Sequence, residues 1–260
     1  QLVRVSAPVS AALEITEIVE RMSKGPAEHN KALLFENVTG YDVPVLINMF
    51  GSAQRMAWAL HTGDLDDLNR NLAELIDMRL PQNAGAAIGR GMSLLNALRA
   101  AGLRPRKVKR AAVQEIVETQ APSLDFIPIL TCWPEDGGPF ITLPQVVTHD
   151  PVKGTRNVGM YRLQKLDSRT LLMHWQRHKG GAEHARAAQE ERSKNQESRI
   201  ENQEPAQRSR IPAAVVLGGD PACIWCASAP LPPDIDEYML AGWLRGRPVE
   251  FVDCVTQPLA

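Results

Sequence analysis

The strongest constraint on the fold of this 260-residue chain is a change in its hydrophobic period near residue 110. Ahead of that point, segments with helical spacing alternate with short apolar runs. Ile15, Ile18, Val19 and Met22 recur at helical spacing behind Ser10, a residue able to cap a helix, and Leu65, Leu68, Leu72, Leu75 and Ile76 do so behind Asp64. Between them Ala32 to Phe35 and Val43 to Phe50 read as strands, and Ser52 can cap a further helix. This alternation predicts a small α/β domain over residues 1–110, closed by a basic linker, Arg104 to Lys109, that contains Pro105.

Beyond that point the period falls toward two. Ile141 to Thr148, Gly159 to Leu166, Leu171 to Arg177 and Ala213 to Leu217 read as strands of a sheet or barrel. One late helix, Ile235 to Leu244, should bury Tyr238, Leu240, Ala241, Trp243 and Leu244. The expected class is therefore α+β, with a β-rich second domain over residues 111–260 and a charged insertion at 182–210. That insertion, Ala182 to Arg210, holds six acidic and six basic residues and one large aliphatic, Ile200, too little apolar surface to offset the entropy of ordering it. It predicts a mobile surface loop, with a frayed helix around Gln189 to Ser198, where trypsin cuts first.

Charge narrows the function. The 29 basic and 30 acidic residues leave a net charge of −1, which gives nucleic acid or an anionic membrane no general attraction, and no apolar run is long enough to span a bilayer. Cys132, Cys223, Cys226 and Cys254 are too few for a disulfide framework and no signal peptide precedes them, so the cytoplasm is the expected compartment. The start at Gln1 without methionine, and the stop at Ala260 just past a strand-like stretch, Val249 to Val255, read as cuts inside a longer protein.

One region departs from the overall balance. Between His149 and Gly181 lie Lys153, Arg156, Arg162, Lys165, Arg169, Arg177 and Lys179, against Asp150 and Asp167 alone. Such an excess suits an anion, most simply a phosphate, although solvated strand faces also carry such charges. Asn157, His178 and Glu237 could offer an amide oxygen, an imidazole nitrogen and a carboxylate oxygen, a set suited to Mn2+. Their wide spacing leaves two other roles open: a strand-end histidine, and a carboxylate held at a helix N-terminus. Cys223-Ile224-Trp225-Cys226 has the spacing of a redox or zinc half-site without a second pair, and reads better as buried packing. No glycine-rich nucleotide loop or nucleophile-elbow serine is present.

Read in order, longer stretches carry a resemblance. They are Leu13 to Ile18, Leu33 to Val38, Pro44 to Gly51, Ile127 to Thr142 with its Cys-Trp-Pro-Glu-Asp-Gly-Gly core, Asn157 to Arg162, His174 to Gly181, Gly218 to Ala222, and Asp236-Glu237-Tyr238. Together they are similar to the UbiD family of decarboxylases, which remove CO2 from aromatic or α,β-unsaturated acids, among them polyprenyl-hydroxybenzoates of ubiquinone biosynthesis, with a prenylated flavin mononucleotide as electron sink. The resemblance implies a flavin-reductase-like split β-barrel for the second domain, incomplete at its C-terminal side. It further implies that Asn157, His178 and Glu237 ligate Mn2+ with K+ nearby, and that Met160, Tyr161, Arg162, His174, Trp175, Gln176, Lys179 and Gly180 contact the prenylated flavin. Arg162 would also hold the substrate carboxylate, its planar fork suiting bidentate contact. A homo-oligomer, and a flavin prenyltransferase as cofactor source, belong to the same expectation, as does a proton-donating acidic pair beyond Ala260. Two departures stand out: the insertion at 182–210 and the cysteines at 223 and 226. An ordinary flavin reductase and a non-catalytic cofactor or assembly module are the competing readings.

Overall fold

The computed structural model of the protein describes residues 1–76, 104–197, 210–231 and 235–254. The chain forms two compact units, Gln1–Ala73 with Glu118–Thr142 and Arg162–Met173, and Glu74–Val117 with Leu143–Tyr161 and His174–Ala260. Neither is a single stretch of chain, so the units interleave across the expected division at residue 110.

In the first unit β1 (Leu2–Val5) runs parallel to β2 (Ala32–Phe35), and β2 pairs antiparallel with β3 (Val45–Ile47). The first helix, α1 (Glu14–Ser23), lays Ile15, Ile18, Val19 and Met22 against Val9, Leu33, Phe35 and Val38. Phe35 and Ile15 are fully buried, and each contributes about 1.5 to 3 kcal/mol by leaving water. Ser10 does not cap this helix. It lies four residues ahead of Glu14, whose carboxylate accepts Ser10 N–H at 2.7 Å, and the helix starts behind Leu13 at φ 68°. Two further helices, α2 (Ala53–Ala59) and α3 (Leu65–Ile76), begin where their caps place them. Ser52 Oγ accepts Arg55 N–H at 3.2 Å, and Asp64 Oδ1 accepts Asp66 N–H at 2.8 Å.

The stretches expected as long strands are broken. Pro144 cannot donate to a ladder, and the run from Ile141 to Thr148 becomes β5 (Phe140–Ile141) and β6 (Gln145–His149). The next run divides at Tyr161-Arg162 into β7 (Arg156–Met160) and β8 (Leu163–Lys165), and β9 (Leu171–Met173) ends well short of Arg177. The first unit keeps the sheet β5-β8-β9, whereas the second has β6 at the centre of a sheet with β10 (Ala213–Val216) and β7 on its flanks, all antiparallel. The expected basic linker is itself a strand, because β4 (Arg106–Lys107) pairs in parallel with β11 (Glu250–Phe251) and Lys107 Nζ lies 2.8 Å from Asp253. Among the described residues the sheets have two or three strands and none closes into a barrel.

The charged insertion differs most from expectation. A helix, α4 (Gly180–Glu197), starts before Ala182 and covers more than half of it. Its alanines, glutamates, glutamines and arginines are good helix formers. Its first turns also bury Ala182 and His184, packing against β6 and β7, where Thr148 Oγ1 and His184 Nδ1 are hydrogen-bonded at 2.9 Å. Of the tryptic sites expected in the insertion, Arg186, Arg192 and Lys194 fall in this helix, and the remainder of the insertion lies outside the described residues apart from Arg210. Two last helices pack together: α5 (Pro221–Cys226), and α6 (Glu237–Arg245), which buries Tyr238, Leu240, Ala241 and Leu244. Among the described residues no helix is long and apolar enough to cross a membrane.

Candidate functional site

The second unit gathers polar groups where β7, α6 and the start of α4 meet. Asp236 caps α6, its Oδ1 accepting Tyr238 N–H at 2.9 Å, while its Oδ2 pairs with the nearly buried guanidinium of Arg156 on β7. That guanidinium also lies 5.2 Å from the ring centre of Tyr238 and 4.9 Å from that of Phe251. This clamp fixes the N-terminus of α6 on the strand. The next residue, Glu237, is thereby brought to β7, where its Oε2 accepts Val158 N–H at 2.9 Å. Among the described residues Glu237 has no salt-bridge partner, and burial pushes its carboxyl up to about 7 despite the backbone hydrogen bonds it accepts.

Asn157 precedes Val158 on the same strand. Its Nδ2 donates to Tyr161 Oη at 3.2 Å, and its Oδ1 lies where a Cβ on Gly180 would be, only 2.1 Å from that position. Glycine at 180 thus lets the first turn of α4 come up against the Asn157 amide. His178 stands two residues earlier in the turn leading into α4; its ring is exposed and makes no hydrogen bond among the described residues. The structure therefore joins Asn157, Glu237 and Gly180 in one cluster and leaves His178 beside it. No three histidines, cysteines, aspartates or glutamates converge among the described residues.

The residues expected to contact a cofactor divide by exposure. His174, Gln176 and Lys179 are exposed, Met160 and Trp175 partly buried, and Tyr161 buried. Trp175 Nε1 is enclosed without an acceptor among the described residues. The Tyr161 hydroxyl accepts from both Asn157 and Gly181 N–H, at 3.1 Å for the latter, so its own proton also has no acceptor among the described residues. Arg162 belongs to the first unit, where it is exposed, stacks 4.1 Å from the Phe140 ring centre and lies 3.5 Å from Asp136.

This chemistry fits both groups that the sequence suggests. Among the described residues, a part-buried carboxylate without a salt-bridge partner and an amide oxygen one residue along the strand it contacts are donor types that suit a divalent ion, and two donors lacking acceptors suit a polar, anionic cofactor. The Cys223 thiol, pushed up to about 11 by burial, and the Cys226 thiol, pushed up likewise, are inert packing as expected. The spacing argument missed the Arg156–Asp236 clamp, although both residues stand directly before the candidate ligands and carry opposite charges.

Solved structures that share this fold include a UbiD-class enzyme and a vanillic acid decarboxylase. The chain matches HmfF from Pelotomaculum thermopropionicum, a UbiD-class enzyme in complex with FMN, with a TM-score of 0.72 and 23% identity over 99% of this chain and 48% of that one. Vanillic acid decarboxylase of Sedimentibacter hydroxybenzoicus, in its closed form, matches with a TM-score of 0.74 and 24% identity over 99% and 48%. Residues 106–260 match the 3-octaprenyl-4-hydroxybenzoate carboxy-lyase Rift-related domain, and residues 1–76 match the N-terminal domain of the same carboxy-lyase. The chain belongs to the UbiD family. Uncharacterised proteins of Aquifex aeolicus and Archaeoglobus fulgidus are 41% and 40% identical over all of this chain, which spans 49% of each. It thus covers about half the length of these relatives.

Proposed function

We propose that this chain supplies the flavin- and metal-binding part of a decarboxylase that acts on an aromatic or α,β-unsaturated carboxylic acid. The observation that carries the reading is that the Glu237 carboxylate, at the start of α6, reaches the β7 backbone next to Asn157 by accepting Val158 N–H at 2.9 Å, while the Asn157 amide, tied through Nδ2 to Tyr161, keeps its Oδ1 as an acceptor. With His178 from the adjoining turn they would hold Mn2+, and Lys179 and Arg177 would add positive charge for a flavin phosphate. The family membership and a HmfF structure in complex with prFMN favour the prenylated flavin. When bound, that flavin supplies the electron sink for CO2 loss.

The chain's own residues have narrower tasks. Glu237 and Asn157 orient the ion, and Trp175 Nε1 with the Tyr161 hydroxyl donates to polar groups of the cofactor. Arg162 holds the substrate carboxylate as a bidentate fork, a role proposed on the residue pattern alone. The Phe140 ring, 4.1 Å from the Arg162 guanidinium carbon, gives that group an aromatic face to lie against. The partners in this reading are a small acid substrate, a flavin prenyltransferase that supplies the cofactor, and further copies of the chain.

Exchange of the fork for a point charge tests it. In the full-length protein Arg162→Lys should lower kcat/KM by the equivalent of about 2 to 5 kcal/mol while flavin content, read from absorbance, stays near wild type. Parallel losses of flavin and turnover would make Arg162 a cofactor ligand only, and no CO2 release from any aromatic or unsaturated acid by flavin-loaded wild type would end the decarboxylase reading.

A further inference from the structure

Tyr161 is where the two halves of the proposed ion site meet. Its ring is 5% exposed and stands edge-on to Trp175, with centroids 6.1 Å apart and planes at 76°. The space it fills is left by Gly159, where a Cβ would lie 2.2 Å from the Tyr161 hydroxyl. A buried ring packed this closely has one position, so its oxygen is a fixed point. Two donors converge on that point from different elements: Asn157 Nδ2 of β7 at 3.2 Å and Gly181 N–H of α4 at 3.1 Å.

An asparagine amide has one donating and one accepting end, and its terminal torsion is soft, so an untethered Asn157 could present either end to an ion. With Nδ2 held on Tyr161, Oδ1 must face the other way, toward the backbone of Gly180. A cation needs the oxygen, and the wrong amide orientation would offer it N–H groups.

We propose that Tyr161 is the positioning residue of the metal site: its hydroxyl sets the orientation of the Asn157 amide and ties it to the first turn of α4, two residues past His178. The inference rests on the reading of Asn157 as a metal ligand. Tyr161 acts through Asn157, in the way that outer hydrogen bonds orient the ligands of other metal sites.

The test is a double-mutant cycle on the 260-residue chain, with Mn2+ affinity read by titration calorimetry in wild type, Tyr161→Phe, Asn157→Ala and the double variant. Phenylalanine keeps the ring, its burial and its contact with Trp175. Tyr161→Phe alone should weaken Mn2+ about 10- to 100-fold, and it should cost nothing further once Asn157 is alanine. Additive losses, or a Tyr161→Phe variant at wild-type affinity while Asn157→Ala is weak, would overturn the positioning role and leave the ligand assignment standing. Wild-type affinity in Asn157→Ala would remove the ligand assignment and the positioning role together. A second measurement needs no variant: the Asn157 side-chain amide protons of the wild type should exchange slowly with solvent in NMR spectra, and rapid exchange would contradict the tether.

Discussion

The buried polar network of the first unit and the polar cluster of the second use the same kinds of residue and end differently. In the first, Arg55 is 6% exposed; its Nη1 donates to Gln1 Oε1 at 2.8 Å and to Asn30 O at 2.9 Å, and its Nη2 to Asn30 Oδ1 at 2.8 Å. Asn48, at φ 59°, adds its Nδ2 to Asn30 Oδ1 and Lys31 O, each at 2.8 Å. Each of these acceptors already holds a donor, and among the described residues Arg55 Nε is the atom of this network left without a partner. In the second unit groups of both kinds remain open among the described residues: one end of the Asn157 amide and the Glu237 carboxylate, which has no salt-bridge partner, and two donors, Trp175 Nε1 and the Tyr161 hydroxyl. A network that closes on its own backbone is architecture, whereas one that leaves acceptors around a part-buried carboxylate is prepared for a ligand.

The largest effect that could break this contrast lies at Gly180. Alanine is a better helix former than glycine, by up to about 1 kcal/mol in a helix interior, so Gly180→Ala should leave α4 formed. Its Cβ would nevertheless displace Asn157 Oδ1, and Mn2+ affinity should fall about 100-fold. Unchanged affinity in titration calorimetry would mean that the amide oxygen is not a ligand. Arg55→Met makes the converse case. Removing a charged donor from buried acceptors should cost about 2 to 3 kcal/mol in denaturant unfolding, with Mn2+ affinity untouched; a metal effect would join the two networks.

A smaller, pH-dependent effect sharpens the picture of α4. Burial holds the His184 imidazole below its ordinary value of 6.5, with Asp150 and Glu183 opposing and His149 and Lys153 reinforcing that shift. The fold therefore keeps the ring neutral, while the unfolded chain takes up a proton below about 6.5. Its contribution is complete above that pH and is lost on acidification toward the lower folded value. Melting temperatures between pH 7.5 and 5.5 should fall more steeply in wild type than in His184→Gln, and equal slopes would contradict a buried neutral ring. Smallest of all, Glu17→Ala breaks the exposed pair with Arg21, at 2.6 Å on α1, and should shift unfolding by less than about 0.5 kcal/mol.

What the sequence revealed of this contrast follows from physical range. Local signals were legible: the Ser52 and Asp64 caps, β2, and the apolar face of α6 are set by neighbours a few residues away. Asn157 and Glu237 were nameable as ligand types, and the ordered resemblance singled them out as candidates. Their junction was not readable, because it depends on Val158 N–H meeting a carboxylate 79 residues away and on Gly180 reaching an amide from another element. The same holds for β4, whose two residues become a strand only through β11, and for α4, where a strongly charged composition suggested a frayed helix around Gln189 to Ser198 and not one that starts at Gly180 and buries Ala182 and His184. Pro144 was visible, yet period-two apolarity on both sides of it read as one strand.

The most direct test is FMN binding to the 260-residue chain, followed by flavin fluorescence quenching with Mn2+ present, with Mn2+ removed by chelator, and in Glu237→Gln. Glutamine keeps the shape and removes the charge that a divalent ion needs. Tight binding should require both Mn2+ and Glu237, with chelation and substitution weakening it to the same extent. FMN held equally well without Mn2+ and by Glu237→Gln would contradict the account.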